Sequence, residues 1–281
     1  MNMQTKASFH KEYLAFTKTH RLLILALIII GWAILGPIMI RGLGIVMNTL
    51  APVYDELGLD ISEMTDMLAL NVSTGVTSAI SDLTTTGLIA ALILINSFAG
   101  GEQKKRSIMI PKSAGLRNHP YLLPKYIIYP LTVLILATIA AFVSWGISTI
   151  VFEINDVSGL NVLLGGLLAG ISLMFYISIH LTLGTATGKA GMSSVIVIII
   201  SLLLPNLFAA LGSELIYNPF TLNIMATSLI IDNIALMPLF QPQEIIVTVI
   251  ITLVLIAILY FIALFVQNAK KIDNSGNEIR L

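Results

Sequence analysis

The chain has 281 residues, no cysteine and a formal net charge of zero at pH 7, with 57% hydrophobic and only 11% charged residues. Soluble domains are roughly 45–50% apolar and about 25% charged, so the composition excludes an ordinary soluble domain. The lack of cysteine excludes disulfides and thiolate metal sites. Nothing in the charge pattern points to a nucleic-acid partner.

Six long runs of the chain contain no Asp, Glu, Lys or Arg. About 17–25 apolar residues are needed to cross a bilayer as a helix, and each run is long enough. A closed β-barrel would instead show short alternating segments. We therefore predict an all-α polytopic membrane protein with one transmembrane domain over residues 1–281 and six spans at about 22–40, 83–99, 126–152, 162–183, 194–211 and 245–267.

The segment 8–21 precedes the first span. Phe9, Tyr13 and Phe16 have i, i+4, i+7 spacing, which places them on one face of a helix, and Lys11 and Lys18 lie elsewhere. This pattern predicts an amphipathic elbow helix lying in the membrane interface. An uninterrupted extension of the first span is an equally good interpretation.

The basic residues predict the orientation of the spans. If six spans alternate in direction, fourteen of the fifteen Lys and Arg residues fall on one side, and only Arg41 falls on the other. Lys and Arg near span ends favour the cytoplasmic side, so both termini are predicted to be cytoplasmic. The acidic residues of 55–66 then lie outside, which indicates either a solvated outer face or a weak attraction for a cationic substrate.

Polar side chains occur at both ends of the second predicted span. Thr84 and Thr85 lie near its outer end, and Asn96 and Ser97 lie near its inner end. Such residues commonly mediate helix packing, and they could also line a path for a substrate. The glycine- and serine-rich fourth span is best explained by close helix packing.

The loop 101–125 carries six basic residues between two apolar spans and contains apolar residues of its own. Topology and lipid anchoring explain the charges. They do not explain the run Ile108, Met109 and Ile110 followed by Pro111. An interfacial helix of this kind can seat in a groove of a soluble partner while the flanking cations anchor it.

The segment 212–244 is apolar but is interrupted by Pro219, Asp232, Pro238 and Pro242. It is too broken to cross the bilayer, so we predict short helices that enter the outer leaflet and return.

The usual signatures of energy conversion and catalysis are missing from the sequence. The run 184–190 has three residues between its glycines and Ala after Lys189, so it does not match a phosphate-binding loop. The predicted spans contain no carboxylate and a single histidine, His180. This predicts no catalytic residue, no metal site and no cofactor in this chain, and argues against ion-coupled transport.

These features together resemble the permease subunits of type-2 ABC transporters, specifically the six-span exporters. The resemblance rests on the elbow, the long first outer loop, the loop 101–125 and the broken segment before the last span. The loop runs from Gly101-Glu102 through Arg106 and an apolar stretch to Lys125, which opens the third span, and the segment Asn218-Pro219-Phe220-Thr221 looks like the N-P-x-T turn of the family.

The resemblance implies a dimer with a second permease copy or homologue, each resting on a separate ATPase subunit that binds ATP and Mg. It implies ATPase docking by the loop, with a smaller contribution near Lys189, and a path at the dimer interface between the first, second and fifth spans. The implied docking residues are Glu102, Arg106, Ile108, Met109, Ile110, Pro111, Leu116 and Arg117, and we expect Thr84, Thr85, Asn96 and Ser97 to line the path.

The expected function is ATP-driven export of a hydrophobic or amphipathic peptide or toxin, lipid or drug across a bacterial cell membrane, with ATP hydrolysis in the partner chain. Two alternatives remain. One is a membrane scaffold or sensor that transports nothing, and the other is an intramembrane enzyme that uses His180.

Overall fold

The computed structural model describes residues 3–56, 71–102, 112–113, 115–152, 157–211, 217–231, 240–272 and 278–280. Helices make up nearly all of these residues. In chain order they are α1 (Met3–Lys18), α2 (Arg21–Glu56), α3 (Val72–Gly101), α4 (Asn118–Val151), α5 (Gly159–Thr187), α6 (Ala190–Leu211), a 3-10 turn (Pro219–Thr221), α7 (Leu222–Ser228) and α8 (Pro242–Ala269). Two short strands, β1 (Lys270–Ile272) and β2 (Glu278–Arg280), pair antiparallel after α8.

Six of these helices, α2 to α6 and α8, are long and apolar enough to cross a membrane. The prediction of a six-helix polytopic protein is therefore confirmed for the described residues. The helices are longer than the uncharged runs because their more polar ends are helical too. The largest difference is in α3, which begins at Val72 rather than at residue 83. Asp82 therefore lies inside a spanning helix, and the prediction that the spans contain no carboxylate is wrong.

Helix α3 is not α-helical throughout. Two π-helical turns, Leu83–Gly87 and Ser97–Gly101, flank the α-helical stretch Leu88–Asn96. Such turns are rare and occur often at functional sites. At the start of α3, the Asn71 side chain accepts a hydrogen bond from the Thr74 amide at 3.0 Å, which satisfies one free N–H group of the first turn.

The starts of α2 and α4 lie at the same end of the bundle as the ends of α3, α5 and α8. We call this end the proximal end. Arg21 at the start of α2 bonds Ser97 near the end of α3. Asn118 at the start of α4 donates to the Gln267 carbonyl of α8 at 3.2 Å, and Lys270 after α8 donates to the Thr185 carbonyl of α5 at 2.9 Å. The bundle therefore runs up and down, and α1 and the end of α8 lie at the same end.

Helix α1 packs a mostly polar face on the bundle. It begins before residue 8 and ends at Lys18, and His20 has a left-handed φ of 57° that separates it from α2. It is therefore not an extension of the first span. The face that it buries carries Thr5, Ser8, Glu12 and Phe16, whereas Tyr13 is 57% exposed. Of the three apolar residues of the predicted face, Phe16 is buried on the bundle and Tyr13 is exposed, and the location of α1 in the membrane interface stays a prediction.

Glycines bring α5 close to its neighbours. A Cβ atom on Gly170 would lie 3.0 Å from the Cα atom of Leu134, and one on Gly166 would lie 3.2 Å from that of Thr138, both in α4. On the other side, a Cβ on Gly165 would lie 2.7 Å from Ile230. The prediction that the glycines of this span serve close packing is confirmed.

The described part of the segment 212–244 forms short helices, the 3-10 turn and α7. Asn218 begins them, since its side chain accepts a hydrogen bond from the Phe220 amide at 2.9 Å. Helix α7 packs against α5 and buries Leu222 and Met225. Asp232 and Pro238 lie outside the described residues.

Candidate functional site

Glu102 and Lys125 lie on either side of the segment 103–111 and form an ion pair, with Lys125 Nζ 2.5 Å from Glu102 Oε2. Lys125 is 2% exposed. Its ammonium group also donates to the Phe98 carbonyl at 2.9 Å and to the Tyr121 hydroxyl at 2.9 Å. All three N–H groups are thus used, which is what a buried lysine needs. The Phe98 carbonyl is in the last turn of α3, where carbonyls lack intrahelical partners.

Glu102 receives further donors. The Tyr121 hydroxyl donates to its Oε2 at 2.7 Å, and Lys11 of α1 donates to its Oε1 at 2.9 Å. Burial by itself would raise the pKa of Glu102, but the charges and hydrogen bonds of Lys125 and Lys11 outweigh it and lower the pKa to about 2. Glu102 is therefore ionised at neutral pH and ties α1, α3 and α4 together.

A second contact fixes α1 on the bundle. The Tyr129 hydroxyl of α4 donates to Glu12 Oε2 at 2.5 Å, and both side chains are buried. Phe16 of α1 packs edge-on against Tyr129 with ring centroids 5.2 Å apart, and Phe98 stacks on the same ring at 4.8 Å. We call Lys11, Glu12, Glu102, Tyr121, Lys125 and Tyr129 the proximal network.

The turn between α5 and α6 lies beside the end of α3. Gly188 has a left-handed φ of 67° and closes α5, and Lys189 is exposed. Helices α3 and α5 are nearly in backbone contact here, because a Cβ on Gly100 would lie 2.6 Å from the Gly184 carbonyl oxygen. A cavity of about 440 Å³ lies between the end of α3 and the start of α6, and Asn96, Ser97, Gly101 and Lys189 are among its lining residues.

The opposite half of α3 borders another cavity, of about 280 Å³, between α3, α5, α6 and α7. We call it the hydroxyl cavity. Thr84 and Thr85 line it together with Ser172, Tyr176 and Asn223. The predicted path residues therefore occupy two places. Thr84 and Thr85 share the hydroxyl cavity, and Asn96 and Ser97 lie about 18 Å further along the helix axis, at 1.5 Å per residue.

One face of α3 exposes polar side chains at membrane depth. Ser81 and Thr85 are exposed and Asp82 is half-buried, and we call these three residues the polar patch. Asp82 has no ion-pair partner among the described residues. Further along the same face, Ile89 and Ile93 are exposed. Only that apolar part is suited to lipid contact.

Of the predicted docking residues, the structure describes Glu102, Leu116 and Arg117. Leu116 is half-buried against the core, and Arg117 is exposed at the start of α4. Arg106, Ile108, Met109, Ile110 and Pro111 lie outside the described residues.

Glu102 is the one member of the proximal network that the sequence predicted as a site residue. Sequence reasoning did not assign the other five members to a site. The available signal was a lone Glu12 on a helix whose Thr5 and Ser8 share its face. Sequence reasoning considered only the membrane interface for α1 and not contacts between its polar side chains and the bundle.

His180 is buried, and its Nδ1 atom is 2.8 Å from Ser193 Oγ. The Ser193 hydroxyl group also lies 2.7 Å from the Ala190 carbonyl oxygen, which competes with the histidine for its single proton. A serine nucleophile must give that proton to a base, so this competition does not favour such a role. Among the described residues no group of three or more His, Asp or Glu side chains could hold a metal ion.

Comparison of the chain with protein-family models, curated proteins and solved structures gives no match. The assignment of a function therefore rests on the geometry and on the resemblance in motifs.

Proposed function

We propose that this protein is the permease subunit of an ATP-driven exporter, which works as a dimer and is powered by a separate ATPase subunit. The observation that carries the proposal is the polar patch of Ser81, Asp82 and Thr85. A 30-residue helix such as α3 is about 45 Å long, and the hydrocarbon layer is about 30 Å thick. When α3 is centred in the membrane, Asp82 lies within that layer, about 15 Å from Val72.

Lipid cannot satisfy the carboxylate of Asp82 at this depth, although the Thr85 hydroxyl is satisfied by the Ser81 carbonyl of its own helix at 2.9 Å. Ionisable residues in spanning helices usually face a bundle interior or a water-filled cavity. The patch lies on an exposed face of the single chain, so we infer that a second copy covers it and that the two copies enclose a polar path. The exposed faces of α2, α3 and α6 would form the walls, as in the resembling exporters.

The proximal end supports ATPase docking. The two described ends of the loop after α3, at Glu102 and Lys125, and the turn at Lys189 lie at this end, so a soluble partner could contact both places. The ion pair of Glu102 and Lys125 joins the two ends of the loop at the end of the helix bundle. A force applied to the loop would thus reach α3, α4 and α1 together. Under the rule that basic residues favour the cytoplasm, the proximal end faces the cytoplasmic side.

The substrate that fits best is amphipathic or hydrophobic. The polar path is short and continues into the apolar face of Ile89 and Ile93, which would suit an apolar group better than a hydrated ion. A peptide, a lipid or a lipophilic drug meets this description. The cell membrane of a bacterium is the proposed location.

Single-cysteine variants can test the dimer directly, because the chain has no native cysteine. We expect Thr85→Cys to form an oxidative cross-link between two copies in native membranes. We expect Ile139→Cys to form none, because Ile139 is on α4 and not on the polar patch. It is a matched control, since it is exposed and lies at a similar depth in the bilayer, 12 residues from Val151 at the end of its helix. Equal cross-linking of both variants, or of neither, would contradict a dimer interface at the polar patch.

Docking is tested by affinity purification of the tagged protein from its native membranes. We expect an ATPase subunit to co-purify, and to be lost when Ile108, Met109 and Ile110 are all replaced by Asp. The control variant is Lys189→Met, in which the loop is unchanged. This variant should weaken the association with the ATPase subunit but should not abolish it. A protein that purifies alone and shows no ATP-dependent transport would favour a scaffold or sensor instead.

A further inference from the structure

Helix α2 is longer than the hydrocarbon layer is thick. Its 36 residues extend about 54 Å, whereas the layer is about 30 Å thick. A Cβ atom on Gly36 would lie 3.7 Å from the Ala79 amide nitrogen of α3, so the two residues lie at a similar depth. When α3 is centred in the membrane, Ala79 is about 3 Å inside the edge of the layer that lies away from the proximal end. The residues of α2 that follow Met39 therefore lie outside the hydrocarbon layer, and the last of them lie in water.

This part of α2 exposes apolar side chains in a regular pattern. Five of them recur at alternating spacings of four and three residues: Met39, Leu43, Val46, Leu50 and Val53. Each is between 38% and 61% exposed, and we call these five residues the α2 stripe. The spacing is the seven-residue repeat by which two helices pack along each other. Because lipid does not cover this part of the helix, an exposed apolar stripe indicates a protein contact.

The α2 stripe is a separate face of the helix. On another side, four residues are buried or half-buried: Ile40, Gly44, Met47 and Ala51. The side opposite the stripe carries two polar residues seven positions apart, Arg41 and Asn48. At about 100° per residue, these three sets point in three different directions. The stripe is therefore the apolar face that the described part of the chain leaves uncovered.

The charges near the stripe permit self-association. No Asp, Glu, Lys or Arg occurs between Arg41 and Asp55 in the sequence. Two copies of the stripe would therefore meet without repulsion between like charges.

The stripe also continues the surface at which the two copies of the proposed dimer meet. A Cβ atom on Gly36 would lie 3.6 Å from the Asp82 carboxylate of the polar patch, and Gly36 is three residues before Met39. A dimer that covers the polar patch would therefore bring the two copies of α2 near each other.

We propose that the α2 stripe packs against the same stripe of a second copy, so that the two helices form a parallel pair outside the membrane. Both copies cross the membrane in the same direction, so a two-fold axis along the membrane normal relates them. Each residue of the stripe then meets its own counterpart. The inference rests on the proposed dimer and extends it, since it names a contact surface beyond the bilayer. The contact needs neither ATP nor an ATPase subunit.

Single-cysteine variants of the full chain in native membranes test this contact. We expect Leu50→Cys to form an oxidative cross-link between two copies, because equivalent positions of the stripe face each other. Asn48→Cys is the matched control, since Asn48 is exposed on the opposite face two residues away. It should form none, because two helix diameters of about 10 Å each would separate the opposite faces.

Three results of this experiment would overturn the proposal. The first is the absence of a cross-link in Leu50→Cys, and the second is equal cross-linking of Leu50→Cys and Asn48→Cys. The third is a cross-linked product whose mass is not twice that of the chain, because a different protein would then cover the stripe.

A pair of opposite charges gives an independent test. Copies with Leu50→Lys and copies with Leu50→Glu carry different tags and are expressed alone and together. We expect Leu50→Glu copies to capture Leu50→Lys copies at least about fivefold more than they capture other Leu50→Glu copies, because like charges in a contact repel each other. Leu50 is exposed, so these changes should leave the fold intact.

The control for the charge pair is Asn48→Lys with Asn48→Glu, which should show no preference for opposite charges. Equal capture in every combination of the Leu50 variants would overturn the proposal.

The outcomes separate this inference from the proposed function. A cross-link in Thr85→Cys but none in Leu50→Cys would keep the dimer at the polar patch and overturn the α2 contact. A cross-link in Leu50→Cys but none in Thr85→Cys would support the α2 contact and contradict the dimer at the polar patch. If no ATPase subunit co-purified, ATP-driven export would be contradicted, and a cross-link in Leu50→Cys would still support the α2 contact.

Discussion

The ammonium group of Lys125 and the carboxylate of Glu102 lie 2.5 Å apart, one on each side of the segment 103–111. Each residue belongs to a different spanning helix or its end, and Lys11 of α1 bonds the same carboxylate. The ion pair thus joins three helices at the point where the loop leaves the bundle. Because the pair is buried, removing either charge leaves the other without a counter-charge in a region of low water access.

Glu102→Gln should destabilise the protein strongly, because it leaves the Lys125 ammonium group buried without a counter-charge. Removing one partner of a buried pair costs about 3–5 kcal/mol. Lys125→Met should cost less, because Glu102 keeps Lys11 and is less buried. The measurement is the free energy of unfolding in micelles by denaturant titration. Lys189→Met, an exposed cation, should change it by no more than about 0.5 kcal/mol.

The stabilisation by Glu102 should depend on pH in the acidic range. Its pKa is lowered from 4.5 to about 2 in the folded protein, so its contribution is complete above about pH 4.5 and is lost as the pH falls towards 2. The difference in melting temperature between the unmodified chain and Glu102→Gln should therefore be constant near neutral pH and shrink below pH 4.5. A difference that stays constant down to pH 2 would show that the carboxylate charge contributes nothing.

Tyr129→Phe should loosen α1 without unfolding the bundle. It removes the hydrogen bond to Glu12, a bond to a charged group worth about 1.5–3 kcal/mol, and keeps the ring contacts with Phe16 and Phe98. Hydrogen exchange of the amides of 3–18 should become faster. Tyr126→Phe removes a buried hydroxyl that bonds Thr182 instead, and it should leave exchange in α1 unchanged. Equal effects of the two variants would argue against a specific role for the Glu12 contact.

Gly184→Ala should disrupt the contact between α3 and α5. The new Cβ atom would lie 2.6 Å from the Ala99 carbonyl oxygen, and a backbone atom cannot move aside as the end of a side chain can. We expect a loss of about 1–3 kcal/mol and a lower melting temperature. Gly146→Ala is the control, because no atom lies within 4 Å of its Cβ position. It should be neutral or stabilising by up to about 1 kcal/mol, since alanine favours helix.

The hydrophobic runs were enough to predict the number of spans. A helix in lipid must satisfy its own backbone groups, so a long uncharged run leaves few alternatives. The same reasoning misplaced the start of α3. Val72 to Asp82 is too polar for lipid, but Val72 to Ile80 is mostly covered by protein, and Ser144 of α4 donates to the Gly75 carbonyl there. Hydropathy measures contact with lipid, and it does not register burial against other helices.

The sequence by itself determined that the chain is a six-helix membrane protein, that the glycines of α5 allow close packing, and that most basic residues collect at alternate span ends. These follow from local composition and period. Only the tertiary structure decided that Glu102, Lys125, Lys11 and Tyr121 meet, that Glu12 is buried on Tyr129, and that Ser172 and Asn223 are among the residues lining the cavity of Thr84 and Thr85. Those hydrogen bonds join residues up to 117 positions apart in the chain, and their geometry depends on how whole helices pack rather than on neighbouring residues.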